Sequence, residues 1–341
     1  MLGRLKELSE LSAVSGNEKA VRKYIKEFAK QYTDDIKTDS MGNLYVHKKG
    51  NGKKIMLVAH MDEVGMMICQ IHDNGFLSFQ ATNLDPRVVV SKRVEIGEKK
   101  IPGIIGSKAI HLQSAAERKR TLAHDELYID IGANDKKDAQ KKVKLGDFVS
   151  FTTKFEPFGE GLFKGKALDD RIGCAIVMEL MKNDYDCDLY CVFTVQEETG
   201  TRGSMVVTEN VQPDLALIFE GTTANDMPGC EGHETVTTVG EGPAITFMDG
   251  ATIVNRKLIN ALIESAEEAN IPYQFRKGIN GGTDAGPIHT SGYGCIAGGI
   301  SVGCRYIHSP VSVGSEKDFE NAFKLADYFM KTKKFEKVLE G

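Results

Sequence analysis

Residues 56–65 read MLVAHMDEVG. Met56, Leu57, Val58 and Ala59 make an uninterrupted apolar run that ends abruptly in His60, Asp62 and Glu63. Such a run, bounded by polar residues and too short for a helix, is the pattern of a strand buried on both faces of a parallel sheet. In open α/β sheets, sites form at the carboxyl ends of the parallel strands. An imidazole and two carboxylates at that position therefore point to chemistry.

The flanking segments complete the pattern. Val21, Tyr24, Ile25 and Phe28 fall at i, i+3, i+4 and i+7, the core face of a helix, and residues 1–65 read as helix, helix, strand, strand, the strands being NLYVHKK (43–49) and KKIMLVAH (53–60). From about residue 68 to 162 the character changes to short β-rich runs, VVVSKRVEI (88–96), KIPGIIG (100–106), ELYIDIGA (126–133) and GDFVSF (146–151), punctuated by Gly, Pro and Asp. Alternation then resumes: helix 169–182, strand 188–195, strand 214–220, helix 255–270, strand 293–300 and one closing amphipathic helix over 315–339. Strands alternating with helices predict a mostly parallel, mixed sheet between helical layers. The expected architecture is a discontinuous α/β domain, residues 1–67 with 163–341, interrupted by a β-rich insert, 68–162.

Composition narrows the function. The 341 residues are 41% hydrophobic, enough for a sizeable core without staples. Lys and Arg total 43 against 48 Asp and Glu, a net charge of −5 with no basic stripe, which argues against nucleic acid as a partner. Seven scattered cysteines without a C-x-x-C pair suit reduced thiols and a cytoplasmic location. No stretch approaches the roughly 20 apolar residues of a membrane span.

A census of the strand ends is not random. IMLVAH ends in His60 and Asp62; YCVFTV ends in Glu197 and Glu198; LALIF ends in Glu220; Asp169 and Asp170 open a helix; His308 stands before a proline. Singly, each has an ordinary structural explanation, such as a carboxylate favoured by a helix dipole. Gathered at one sheet edge, these carboxylates would repel unless a cation neutralised them. Two histidines with several carboxylates form a ligand set for zinc, cobalt or manganese. One of Glu197 and Glu198 would remain as the base that takes a proton from water.

The strings AHMDEVG (59–65), KALDDRIG (166–173), QEETGTRG (196–203), GGTDAGPIH (281–289) and RYIHSPVSV (305–313), in this order and spacing, resemble peptidase family forty-two, the tetrahedral and glutamyl aminopeptidases, some of which carry an older endoglucanase label. The resemblance covers essentially the whole chain. It implies a three-layer α/β/α catalytic domain of the zinc-peptidase kind and removal of N-terminal residues from peptides. It also implies two divalent metal ions per subunit, zinc or cobalt with manganese as a further candidate. His60, Asp169 and Glu220 would hold one ion and Asp169, Glu198 and His308 the other, with Glu197 as general base and acid. Asp62 would accept the free N–H of His60, and the Asp169–Asp170 peptide bond would be cis. The β-rich insert would be the dimerisation element of a dodecamer built from dimers.

At one position the chain departs from the commoner pattern: Glu220 stands where most members have Asp, with Asp226 as a fallback ligand. His233 and His289 are candidates by residue type only, His289 as a brace for the site wall. Thr283 and Asp284, in the Gly-rich INGGTDAGP, are expected to shape the substrate site. Glu63 has no evident role. A glycosidase would use two opposed carboxylates, leaving His60 and His308 without a purpose, and the chain has no tryptophan for stacking sugars. A catalytically inactive assembly protein would have no reason to keep every ligand type.

Overall fold

The computed structural model describes residues 1–340. Two amphipathic helices, α1 (Leu2–Glu10) and α2 (Lys19–Ala29), bury Leu5, Leu8, Val21 and Ile25, and β1 (Ile36–Thr38), β2 (Leu44–Lys48) and β3 (Lys54–His60) follow. Next come β4 (Gly65–Ile71), β5 (Leu77–Thr82), α3 (Pro86–Val89), β6 (Arg93–Ile96), β7 (Ile101–Ser107), β8 (Leu127–Asp130), α4 (Lys136–Lys142) and β9 (Phe148–Phe151). The six strands from β4 to β9 close an antiparallel barrel in the order β4-β5-β8-β7-β6-β9 around its own core, which includes Ile68, Phe79, Ile105 and Val149.

The chain then runs through β10 (Glu156–Pro157), β11 (Leu162–Gly165), α5 (Leu168–Leu180), β12 (Asp188–Thr194), α6 (Val207–Val211) and β13 (Leu215–Thr223). It ends with β14 (Ala244–Ile245), α7 (Arg256–Glu268), β15 (Gln274–Phe275), α8 (Ala285–Thr290), β16 (Ile296–Cys304), β17 (Ser312–Ser315), α9 (Glu316–Lys331) and α10 (Lys334–Leu339). The main sheet has the order β1-β2-β12-β3-β13-β16-β14-β15, and its four central strands are mutually parallel.

The apolar run of β3 explains the layers. Successive strand residues point to opposite faces. Ile55, Leu57 and Ala59 join a core with α1, α2, α5, α7 and α9, while Met56 and Val58 join a second core with Val207 and Val211 of α6 and Ala285 and Ile288 of α8. Burial on both faces is why β3 reads as a continuous apolar run. The protein is thus a three-layer α/β/α domain with a separate small β-barrel, the fold class expected.

Three local expectations change. Val88 and Val89, the first two residues of the expected strand VVVSKRVEI, belong instead to the helix Pro86–Val89, because the Asp85 side chain caps the turn by accepting the Arg87 N–H at 2.8 Å and Pro86 occupies the first turn. Residues 156–157 and Leu162, placed at the end of the insert from sequence, lie outside the barrel: β10 pairs with β11, and β11 pairs with β17. The closing helix is two helices, broken where Lys333 takes a left-handed φ of 53°.

Candidate metal centre

Register brings the strand ends together. Thr194 of β12 pairs with His60 of β3, and Ile218 of β13 pairs with Val58, so Glu220 arrives level with His60 at the same sheet edge. The start of α5 lies against this edge. Gly221 allows that approach, since a Cβ there would lie 3.0 Å from Asp169 Cα. The Asp169–Asp170 bond is cis.

Two histidines face opposite oxygens of Asp169. His60 Nε2 lies 3.3 Å from Asp169 Oδ1 and 3.5 Å from Glu220 Oε2; His308 Nε2 lies 3.5 Å from Asp169 Oδ2 and 3.3 Å from Glu198 Oε2. These separations exceed the usual hydrogen-bond range. They match the roughly 3.3–3.6 Å between two atoms that each bond a tetrahedral ion at about 2.0–2.2 Å. Glu220 Oε1 is buried without a hydrogen-bond partner, as expected of a donor atom built for something other than protein. The donor set therefore fits divalent metal.

The supporting contacts are as specific. Asp62 Oδ1 lies 3.4 Å from His60 Nδ1, and the Asp62 carboxylate accepts the N–H groups of Glu197 (3.0 Å) and Glu198 (3.1 Å) and the Ser15 hydroxyl (2.6 Å). One buried carboxylate thus fixes the backbone of both glutamates and stands behind the His60 ring. Asp170 also comes within reach of His60 and Glu220. Its oxygens, however, accept the backbone N–H groups of His60 (3.2 Å) and Gly173 (2.8 Å), so it anchors α5 to β3. A Cβ on Gly173 would meet those oxygens at 2.4 Å and 2.5 Å.

So many carboxylates cannot all ionise without a cation. Burial pushes Glu220 up to about 8 and Glu198 up to about 7, and it lifts Glu197 well above the ordinary value with help from the charges of Glu220, Asp284 and Glu198. Burial pushes the histidines down, but neighbouring carboxylates prevail: His308 rises to about 9 and His60 well above its usual value. Every one of these groups binds its proton more tightly folded than unfolded. The stability they contribute is complete at low pH and is lost as pH rises through their folded values. Metal-stripped protein should therefore show an unfolding midpoint that falls between about pH 5 and about pH 9, and added zinc should restore it. A midpoint flat or rising over that window, measured by thermal unfolding of stripped protein, contradicts this electrostatic account.

The remaining expected residues separate cleanly. Thr283 lines the cavity beside the site, whereas Asp284 is fully buried beneath it and accepts the Thr194 hydroxyl, so a direct substrate contact from Asp284 is ruled out by burial. Asp226 is no fallback ligand: Arg305 grips it with bonds of 2.8 Å and 2.6 Å. His233 is exposed near Glu231, and His289 braces the entry to β16 through the Cys295 carbonyl (3.2 Å), not the site wall. Glu63 gains a role. It accepts both Lys166 contacts at 2.7 Å and the Ala13 N–H at 2.8 Å, with Arg171 at 3.5 Å, entirely within the interior. Sequence reasoning missed Asp170 as an anchor, Ser15, and Asn83 and Arg276 in the cavity lining. Ser15 and Asn83 act on partners remote in the chain, and the bond from Asp170 to the His60 N–H is equally remote.

Glu197, Glu220 and Thr283 open onto a cavity of about 640 Å³, into which Arg276 and Asp249 also face. The profile of the M42 glutamyl aminopeptidase family matches residues 42–325. The chain is 30% identical to the glutamyl aminopeptidase of Lactococcus lactis subsp. cremoris, covering 100% of this chain and 98% of that one. It is similar to the crystal structure of a TET aminopeptidase from a marine sediment archaeon, Thaumarchaeota archaeon SCGC AB-539-E09, at 35% identity and a TM-score of 0.93, covering 97% and 95% of the two chains. It is also similar to the TET1 peptidase of Pyrococcus horikoshii, described as able to assemble into a tetrahedron or a large octahedral shell, at 30% identity and a TM-score of 0.86 over 96% and 98%.

Proposed function

The chain belongs to the M42 glutamyl aminopeptidase family and is an aminopeptidase, and from that premise we propose that it works through a dinuclear metal site with Glu197 as general base. The observation that carries this reading is Asp169, whose two oxygens face two different histidines at 3.3 Å and 3.5 Å. His60, Asp169 and Glu220 would hold one divalent ion and Asp169, Glu198 and His308 the other, zinc or cobalt fitting the donor set best and manganese next. When bound, such ions supply Lewis acidity toward the carbonyl oxygen and make water a stronger acid.

The protein's own groups do the rest. Glu197 takes a proton from the attacking water as oxygen bonds the carbonyl carbon, then delivers that proton to the amine as the C–N bond breaks. Its raised pKa, set first by burial, suits a group that must hold a proton between the two steps. The carboxylates around the cavity attract the α-ammonium group of a peptide, which explains cutting at chain ends.

Zinc content tests the stoichiometry. Stripped protein dialysed against zinc should take up two ions per chain, and a Glu220→Ala variant one; a single ion in the parent protein would rule out the dinuclear reading.

Self-association through the barrel is part of the same proposal. Ile104 on β7 and Ile110 and Leu112 just after it are 54%, 70% and 64% exposed, apolar surface of the kind that marks an interface. Among the described residues no helix is long and apolar enough to cross a membrane. Seven unpaired cysteines, four of them buried, are in keeping with a cytoplasmic setting.

A further inference from the structure

We propose that Asn83, a residue of the inserted barrel, is a positioning residue for the Glu198 carboxylate. The inference rests on the reading of Glu198 as a metal ligand. Asn83 follows β5 directly and lies at the rim of the cavity. Its Nδ2 donates to Glu198 Oε2 at 3.0 Å, the same oxygen that sits 3.3 Å from His308 Nε2. An ionised carboxylate only accepts hydrogen bonds, so the nitrogen end of the amide must be the end that faces it. Among the described residues no other side-chain amide or hydroxyl donates to this carboxylate.

The backbone is built to make this contact. Asn83 has φ 51°, in the left-handed region that Asn enters more readily than most residues. The residues after it are pinned: the Leu84 carbonyl accepts from His124 Nε2 at 2.8 Å, and Asp85 caps α3. A held loop with one amide projecting into the site does more than turn the chain. Donation to Oε2 fixes the rotation of the carboxylate and so the direction of the lone pairs left for an ion, the task performed by supporting hydrogen bonds in metal sites generally. The barrel would then complete the catalytic site as well as serve assembly.

Asn83→Gly removes the amide and tolerates the same φ, so the variant should fold. Its metal-free unfolding midpoint should match the parent. Competition for zinc with a chromogenic chelator should show one of the two ions bound about 10- to 100-fold more weakly, and the cobalt-loaded protein should show an altered absorption spectrum at one site. Retention of both zinc affinities and an unchanged cobalt spectrum would overturn the proposal and leave Asn83 a turn residue. A Glu198→Ala control distinguishes the two levels of inference. If it loses one ion while Asn83→Gly loses none, the role of Asn83 alone fails; if it still binds two ions, Glu198 is no ligand and both readings fall.

Discussion

Glu197→Gln should lower kcat by about 10²- to 10⁴-fold, the range that a positioned acid–base group supplies, while zinc content stays at that of the parent. The substitution keeps shape and volume and removes the ability to take a proton. Glu197 is held by its backbone, whose N–H donates to Asp62 at 3.0 Å, and not by the proposed ligand contacts that engage its neighbour Glu198. The amide should therefore sit where the carboxylate did. Steady-state kinetics on an aminoacyl chromogenic substrate, with metal analysis of the same sample, decides the point. Undiminished turnover would move the base elsewhere, and lost zinc would make Glu197 a ligand.

Asp169→Ala should act on both ions at once. Each oxygen of Asp169 faces its own histidine, so the substitution should leave two incomplete sites, whereas loss of Glu220 or Glu198 should leave one intact. Activity should fall by more than about 100-fold, beyond what removal of a supporting contact costs. Chelator-stripped parent protein should behave the same way and recover on refilling with zinc or cobalt, while the variant should not. Stripped protein that remained fully active, or an Asp169→Ala variant with parental zinc content, would refute the shared-ligand arrangement.

The fold and the core of the site were legible because both depend on local pattern. The run ending in His60 is apolar on both faces, since its alternate residues meet helices from two layers, and Glu220 follows an apolar run of the same kind in β13. Their arrival at one edge follows from parallel pairing alone. The helix at residues 86–89 has a local signal in Asp85 before Pro86, but Val88 and Val89 within it are β-branched and open a run with strand composition. Other features had no local signal. Asp226 looked available until folding brought Arg305 to it. Glu63 is explained by Lys166, Ala13 and Arg171, all far away in the chain. The break at Lys333 has neither glycine nor proline to mark it.

The bond between Glu63 and Lys166 has a further meaning for the course of the chain. Glu63 stands just before the chain leaves for the barrel, and Lys166 just after it has returned and begun to approach Asp169. The two ends of the excursion are clamped 2.7 Å apart inside the α/β domain. The clamp pins the points where the chain leaves for the barrel and comes back, and with them His60 and Asp169, which lie just before Glu63 and just after Lys166.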